Sequence, residues 1–476
     1  MTAVGGAVID AVPPGVKEWV ISLFGTADKV ALLAGMALVI AALAALSGVV
    51  ELRRRFAGVA IIAVFGVVGL VAVLGRAELT AYAIPVPLLV AVAGISLLRW
   101  LIRRLGEWQP VTGQPVPGQP APARRRFLQI LGGTAAVAVL AGLLASMLRG
   151  AAAAVTEVRS KLSLPAAASP AAPVPAGAEI RLDGLGPLVT PDRDFYRIDT
   201  ALRVPLVDPE QWTLKVTGLV EREIELDFAT LLAKPLTERY VTIACVSNEV
   251  GGDLIGNARW LGWPVRELLA LAGPRPEADM VLSRSTDGWT AGTPLEALTD
   301  SRDALLAVGM NGEPLPLEHG FPVRLIVSGL YGYVSATKWV TELKVTRFAD
   351  DAGYWTPRGW SERGPIKTSS RIDVPRDGRN VAAGKVAFGG VAWAQHTGIA
   401  KVELRVNGGP WQQAGLAPGI SRDTWYQWKL ALDLAPGQYE VQVRATDLGG
   451  VPQVEDRAPV APSGATGYHT VRVSVK

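Results

Sequence analysis

The chain has 476 residues, 49% of them hydrophobic, with a mean hydropathy of +0.27. This length favours two or three domains, and the high hydropathy indicates a membrane part. Positive charge is concentrated early: residues 1–150 hold 13 Lys and Arg against 6 Asp and Glu, and the remainder holds 34 against 37. We therefore expect no nucleic-acid-binding face. One cysteine and three histidines cannot build a zinc cluster, an iron–sulfur centre or a c-type haem attachment site.

Four charge-free apolar runs have the length of membrane-spanning helices, about 20 residues. They cover residues 30–50, 56–75, 80–98 and 127–148. Arginines cluster between the first two runs and between the last two, and short basic loops usually stay in the cytoplasm. Both termini are therefore predicted to lie outside the cytoplasm, in a multi-pass protein of the inner or plasma membrane.

The sequence ARRRFLQILGG begins at Ala123 and resembles a twin-arginine export signal. A positive-inside flank is the simpler alternative. We predict a membrane region with three helices over 1–104, a Pro/Gly-rich cytoplasmic linker over 105–126 and a fourth helix carrying the signal over 127–149. An Ala/Pro-rich linker over 150–178 follows, and everything after it is expected to be extracytoplasmic.

The rest of the chain divides into two predicted domains. Residues 179–373 mix period-2 runs such as PVRLIVSGL with short helical pieces such as PVRELLALAG, which indicates an α+β domain. Residues 374–476 contain short alternating runs separated by Gly, Pro and Asn turns, with buried-looking tryptophans. This pattern predicts an immunoglobulin-like β-sandwich.

Three motifs in the middle domain carry a family resemblance. TIACVSNEVGG, ARWLGWPVRELL and MNGEPLPLEHGFPVRLIVSGLYGYVSATKW are similar to segments of the sulfite oxidase family of molybdopterin enzymes. The resemblance implies a molybdenum–molybdopterin cofactor with Cys245 as the metal ligand and a catalytic residue. A thiolate suits a metal already held by a pterin dithiolene, so one protein sulfur is enough. An inert buried cysteine is the alternative.

The resemblance also implies a set of site residues, with Arg197 both catalytic and cofactor-binding. The expected cofactor-binding residues are Tyr196, Arg197, Asn248, Asp287, His319, Arg324, Ser335 and Lys338. Arginine and lysine would hold the pterin phosphate. The amide of Asn248 could brace the cysteine loop or bond the pterin, and Asp199 stands where many members have histidine.

The implied activity is two-electron oxygen-atom transfer, with sulfite oxidation favoured and electrons passed to a separate cytochrome or membrane quinone subunit. Glu249 and Val250 follow the cysteine at positions where sulfite oxidisers carry basic residues. This difference lowers the positive electrostatic potential at the site where an anion would bind. Basic residues at 358, 363, 367 and 371 could replace it. The alternatives are an S-oxide or N-oxide reductase of the methionine sulfoxide type and a non-catalytic membrane-anchored binding protein. The resemblance also implies a homodimer formed through the C-terminal domain.

Overall fold

The computed structural model describes residues 4, 5, 7, 8, 28–75, 84–107 and 153–476. They form two compact units, of which the first ends at Lys161 and the second contains Leu162–Lys476. The described part of the first unit contains α1 (Asp28–Arg53), α2 (Ala57–Leu74), α3 (Pro85–Glu107) and a short helix, α4, over 153–161. By length and composition α1, α2 and α3 could each cross a membrane.

Three of the four predicted spans thus coincide with apolar helices. The predicted fourth span at 127–148, the twin-arginine-like motif and most of the 105–126 linker lie outside the described residues. The third helix differs from the prediction because it begins at Pro85, a residue suited to the first helical position, and continues to Glu107. Arg99 and Arg103, expected in a loop, therefore belong to the helix.

The turn between α1 and α2 is closed by a carboxylate. Glu51 accepts hydrogen bonds from the backbone nitrogens of Phe56, Gly58 and Val59 at 2.8–3.1 Å. These nitrogens belong to the start of α2, where no intrahelical acceptor exists for them. A single acidic residue in the ELRRRF segment therefore caps the second helix.

The second unit begins with two sheets and three short helices. The first sheet has the order β2-β1-β10-β5-β6, with β1 (Thr213–Gly218), β2 (Ile224–Asp227), β5 (Met280–Ser285), β6 (Thr290–Pro294) and β10 (Val340–Thr346). The second has the order β3-β4-β7-β8, with β3 (Thr237–Ala244), β4 (Ile255–Pro264), β7 (Leu305–Met310) and β8 (Glu313–Pro314), and β9 (Arg324–Ile326) pairs with β7.

The short helices are α5 (Phe228–Leu232), α6 (Val265–Ala272) and α7 (Leu295–Thr299). In α6 the buried residues recur at helical spacing, at Val265, Leu268, Leu269 and Ala272. The helix ends at Gly273, whose positive φ of 67° suits a helix C-terminus. This part of the chain is β-rich, with helices only as connections between strands.

The last hundred residues form two further sheets around a second core. One has the order β11-β13-β17-β16, with β11 (Ser369–Val374), β13 (Gly384–Trp393), β16 (Gly415–Leu416) and β17 (Tyr426–Leu434). The other has the order β12-β19-β18-β14-β15, with β12 (Arg379–Val381), β14 (Ile399–Val406), β15 (Gln412–Gln413), β18 (Gly437–Asp447) and β19 (His469–Val475). Alternate residues of β18 and β19 are buried, as strands with one core-facing side require. We call these two sheets the C-terminal sandwich.

Part of the segment expected to be a linker packs on the second unit. Ala168 donates a 2.8 Å backbone hydrogen bond to Leu236, and the Ser169 carbonyl accepts one from Glu238, also at 2.8 Å. Leu162 and Leu164 pack against the hydrophobic core formed mainly by the first two sheets of the second unit. Apolar side chains and backbone pairing with a neighbouring strand fix this stretch. Its Ala/Pro-rich composition gave no indication of this packing.

Candidate molybdopterin site

Cys245 directly follows the last residue of β3 and begins the loop that returns to β4. Its backbone nitrogen donates to Leu254 at 2.9 Å, and its carbonyl accepts from the Asn248 nitrogen at 3.1 Å. The Asn248 side-chain oxygen accepts from the Leu254 nitrogen at 2.8 Å. Of the two roles considered for Asn248, the structure shows the brace, which ties the two ends of the cysteine loop together.

Two tyrosines lie beside Cys245. Burial raises the pKa of the thiol, and hydrogen bonds to Ser247 and Val246 oppose that shift. Burial and the nearby sulfur also raise the pKa of Tyr196, and they raise that of Tyr331 to about 12. Both phenols are therefore neutral hydrogen-bonding groups at physiological pH. Sequence analysis missed Tyr331, although it is the tyrosine of the Gly-Leu-Tyr-Gly motif.

Tyr196 is positioned by an aromatic cluster. Its ring stacks on Phe195 with centroids 5.3 Å apart, and Phe195 in turn makes edge contacts with Trp260 and His319. The guanidinium of Arg324 opposes the rise in the pKa of Tyr196. Tyr196 thus interacts with both the cysteine and the buried arginine, and it links the two ends of the site.

Arg324 is a buried cation at the start of β9, with only 4% of its surface exposed. Its terminal nitrogens donate to the backbone carbonyls of His319 at 3.0 Å and Ala336 at 3.3 Å. Its guanidinium carbon lies 5.2 Å from the centroid of the Trp260 ring. Burial lowers the pKa of Arg324 to about 10, so it remains charged at neutral pH.

Lys338 is a second buried cation, 8% exposed. Its ammonium lies 2.6 Å from Asp199 and 3.0 Å from the Glu318 carbonyl. Burial lowers the pKa of Lys338 to about 8, although the Asp199 carboxylate opposes the shift. The same Asp199 oxygen lies 3.0 Å from the Nε atom of Arg197. Asp199, which departs from the family pattern, therefore orients both cations.

His319 is a satisfied buried histidine beside these cations. Its Nε2 atom lies 3.1 Å from the Asp192 carbonyl, and burial together with Arg324 and Lys338 lowers its pKa to about 4. The following Gly320 has a φ of 112°, and a Cβ there would lie 3.3 Å from Lys338 Cα. Glycine thus allows the His-Gly-Phe-Pro turn to approach the lysine segment.

Ser335 and Asp287 are structural neighbours of these groups. The Ser335 hydroxyl lies 2.9 Å from the Tyr331 carbonyl and is fully buried. Asp287 lies in the β5–β6 turn, where it accepts from the Trp289 nitrogen at 3.1 Å. The neighbouring Thr286 nitrogen donates to Trp339, which joins this turn to the lysine segment. Both side chains fix backbone that carries the site.

Residues 201–355 match the family profile described as oxidoreductase molybdopterin binding domain. The uncharacterized oxidoreductase YuiH of Bacillus subtilis is 35% identical over 157 residues, which are 33% of this chain and 76% of YuiH. The chain belongs to the sulfite oxidase family of molybdopterin oxidoreductases.

Two further comparisons extend the similarity. Human mitochondrial sulfite oxidase is 30% identical over 322 residues, which are 57% of this chain. This chain spans only 58% of the human protein's length. In fold, the crystal structure of the sulfane dehydrogenase SoxCD from Paracoccus pantotrophus matches with a TM-score of 0.53 and 24% identity, over 60% of this chain and 81% of that one.

The donor set fits the molybdenum–molybdopterin cofactor of the family. Among the described residues no group of three His, Cys, Asp or Glu could hold a metal ion, so a metal would have to arrive pre-ligated, with Cys245 as a protein sulfur. Within the described chain, Arg324 has no carboxylate at salt-bridge distance. A buried guanidinium bonded only to carbonyls suits an anionic group such as the pterin phosphate.

The basic residues that could replace the missing positive charge have other partners. Arg358 bonds the Tyr354 carbonyl at 2.6 Å, and Arg363 pairs with Glu296 at 3.2 Å. Lys367 donates to the Gly464 carbonyl at 2.7 Å. Each of these three side chains therefore has at least one partner within the protein.

Arg371, the last of these residues, is also engaged. Its guanidinium pairs with Asp373 and donates to the Gly252 carbonyl at 2.6 Å. It therefore bonds the cysteine loop from outside and offers no open donor set to an anion.

Proposed function

We propose that the protein is a membrane-anchored molybdopterin oxidoreductase that performs two-electron oxygen-atom transfer, with sulfite as the favoured substrate. The observation that carries the proposal is a single cysteine, Cys245, at a strand end, flanked by neutral phenols and linked through Tyr196 to buried cations. When bound, the cofactor would supply the two-electron redox chemistry. Arg324 and Lys338 would hold its phosphate, and Tyr196 would contact its metal end.

Arg197 is the residue best placed to meet a small oxyanion. Its Nε atom is tied to Asp199, and among the described residues no hydrogen bond occupies its two terminal nitrogens. The side chain is 35% exposed, so it is accessible while its orientation is fixed. An arginine held by one edge can present the other edge bidentately to sulfite.

A second candidate is reduction of an S-oxide or N-oxide such as methionine sulfoxide. It is favoured by the engagement of the basic residues from 358 to 371 with other groups and by Glu249 after the cysteine. Tyr196 and Tyr331 remain neutral and could donate hydrogen bonds to an uncharged oxide. A non-catalytic binding protein is disfavoured because Arg324 is buried and suited to bind an anionic group of the cofactor.

The surroundings of the enzyme are part of the proposal. We place the second unit outside the cytoplasm, with the 127–148 run as a fourth span and ARRRF as a twin-arginine signal. The C-terminal sandwich would be immunoglobulin-like and would form a homodimer. Electrons would pass to or from a separate cytochrome or a membrane quinone subunit, since the described membrane helices contain no histidine for haem.

Metal analysis combined with two assays tests the function. We expect one molybdenum per chain in detergent-purified protein from a host that makes the cofactor, together with sulfite-dependent reduction of an artificial acceptor. Activity only with methionine sulfoxide and a reduced dye would favour the second candidate. Absence of molybdenum from correctly exported protein would overturn both.

The ligand assignment is tested by Cys245→Ser. A serine oxygen is a poorer ligand for a polarizable metal than a thiolate. We expect the variant to keep its fold and its pterin, because Arg324 and Lys338 are untouched, but to lose at least about 100-fold in kcat. Pterin content is measured by fluorescence after release. Full turnover in this variant would show that Cys245 is not the ligand.

A further inference from the structure

The C-terminal sandwich contacts the cysteine loop at two consecutive glycines. Arg371, on β11, donates from Nη1 to the Gly252 carbonyl at 2.6 Å across 119 residues of sequence. Its Nε atom is held by Asp373, and only 14% of its side chain is exposed. The arginine is therefore fixed at one end by its own strand and at the other by the loop that begins with Cys245.

His469 makes the second contact, at Gly251. A Cβ on Gly251 would overlap the Cδ2 and Nε2 atoms of His469, so the ring rests directly on the glycine backbone. The Nδ1 atom of His469 accepts a hydrogen bond from the Ile372 nitrogen at 3.0 Å, which fixes the ring. Gly251 has a φ of 82°, a conformation that glycine adopts readily.

Contacts inside the loop connect these glycines to the cysteine. The Gly252 nitrogen donates to the Glu249 carbonyl at 2.9 Å, and the Asn248 nitrogen donates to Cys245 at 3.1 Å. A displacement at Gly252 would therefore be transmitted through two short turns to the sulfur. Lys367, two residues before β11, also contacts Tyr331 beside the sulfur, since its backbone nitrogen lies 3.5 Å from the tyrosine hydroxyl.

We propose that Arg371 and His469 are positioning residues that hold the Cys245 loop in the geometry needed for metal ligation. The sandwich is thereby part of the catalytic unit, in addition to any role in dimerisation. The effect on the metal rests on the proposed function, whereas the mechanical effect on the loop does not. The two can therefore be tested separately.

Hydrogen–deuterium exchange of the full-length protein in detergent tests the mechanical part. We expect Arg371→Ala to increase exchange in peptides covering residues 246–254 by roughly ten-fold, the effect of losing one hydrogen bond to a charged donor. Arg405→Ala is the matched control, because Arg405 is another paired arginine of the sandwich whose partner is Glu455. Unchanged loop exchange in Arg371→Ala would overturn the proposal.

Arg371→Lys provides a second variant if the alanine protein is not obtained folded. A single ammonium cannot reproduce the fork that spans Asp373 and Gly252, so a smaller increase in loop exchange is expected. Protection equal to that of the natural protein would overturn the proposal.

The metal-loaded enzyme provides the readout that a purely structural role would not change. We expect Arg371→Ala to broaden the Mo(V) electron paramagnetic resonance signal and to lower kcat with KM unchanged, with lysine restoring part of both. An Mo(V) signal as sharp as that of the natural protein, together with faster hydrogen–deuterium exchange in the loop, would show that the loop contacts do not affect the metal. Failure of the proposed function would appear differently, as absence of molybdenum from the natural protein despite a protected loop.

Discussion

At the scale of single residues, the site depends on charges whose state follows from burial. His319, Arg324 and Lys338 are all nearly inaccessible and lie close to one another. Burial lowers the pKa values of all three, and repulsion from neighbouring cations adds to the shift for His319 and Lys338. The sequence identified the three residues through HGFPVR and the Lys-Trp pair. It could not assign their protonation, because Asp199, the acidic partner of Lys338, lies 139 residues away.

The histidine gives the fold a predictable pH dependence. The pKa of His319 is about 4 in the folded chain against an ordinary value of 6.5, so the unfolded chain binds more protons between these limits. The free energy of unfolding therefore rises with pH through this window, and it falls by about 2 kcal/mol between about pH 7.5 and about pH 5. We expect His319→Gln to remove the His319 part of that slope in chemical denaturation of the cofactor-free protein, leaving the part due to His469, whose pKa burial also lowers. An unchanged slope would contradict the assignment.

At the scale of elements, glycines of α2 set how closely the three apolar helices pack. A Cβ on Gly58 would overlap the Ser47 carbonyl of α1, and one on Gly66 would lie 2.6 Å from Ala91 Cβ of α3. Small residues permit such close approach of apolar helices. The sequence predicted the helices from apolar length alone, but which glycines contact which helix depends on their relative rotation.

Substitution of Gly58 tests this packing. In Gly58→Ala the methyl group would meet a backbone oxygen, which cannot move aside as a side chain can. We therefore expect the free energy of unfolding to fall by about 1–3 kcal/mol. Gly35→Ala is the matched control, because a Cβ added at Gly35 would meet no atom within 4 Å and alanine favours helix. The measurement is the temperature at which each protein loses its monodisperse detergent peak. Equal temperatures for the two variants would contradict the packing.

At the scale of the whole second unit, the sandwich contributes side chains to the core of the cofactor-binding part in addition to forming its own. Trp425 lies just before β17, yet its side chain is 5% exposed and belongs to the core of the other part. Its indole nitrogen donates to the Leu188 carbonyl at 2.7 Å, and its backbone nitrogen donates to Thr242 on β3 at 2.8 Å. The sequence indicated two successive domains but gave no sign that one reaches into the other.

These shared core residues should make the two parts unfold together. We expect calorimetry of the natural protein to show one unfolding transition for the second unit. We expect Trp425→Ala to split this transition into two and to lower the free energy of unfolding by about 3–5 kcal/mol. Trp411→Ala is the matched control, since Trp411 contacts Tyr468 and Arg405 within the sandwich. The Trp411→Ala variant should still show a single transition, with a free energy of unfolding lower by about 1 kcal/mol. Two transitions in the natural protein would contradict the coupling.

The sequence by itself determined the features that depend on local chemistry. Apolar runs of membrane length identified three helices, and the motifs around Cys245 and Arg324 identified the family and its cofactor. Tertiary structure decided which groups are free to act. Arg371 bonds the Gly252 carbonyl from 119 residues away, and part of the linker predicted over 150–178 pairs with β3 and with Leu236 just before it. Such partners are distant in sequence, and only the folded chain brings them within hydrogen-bond range.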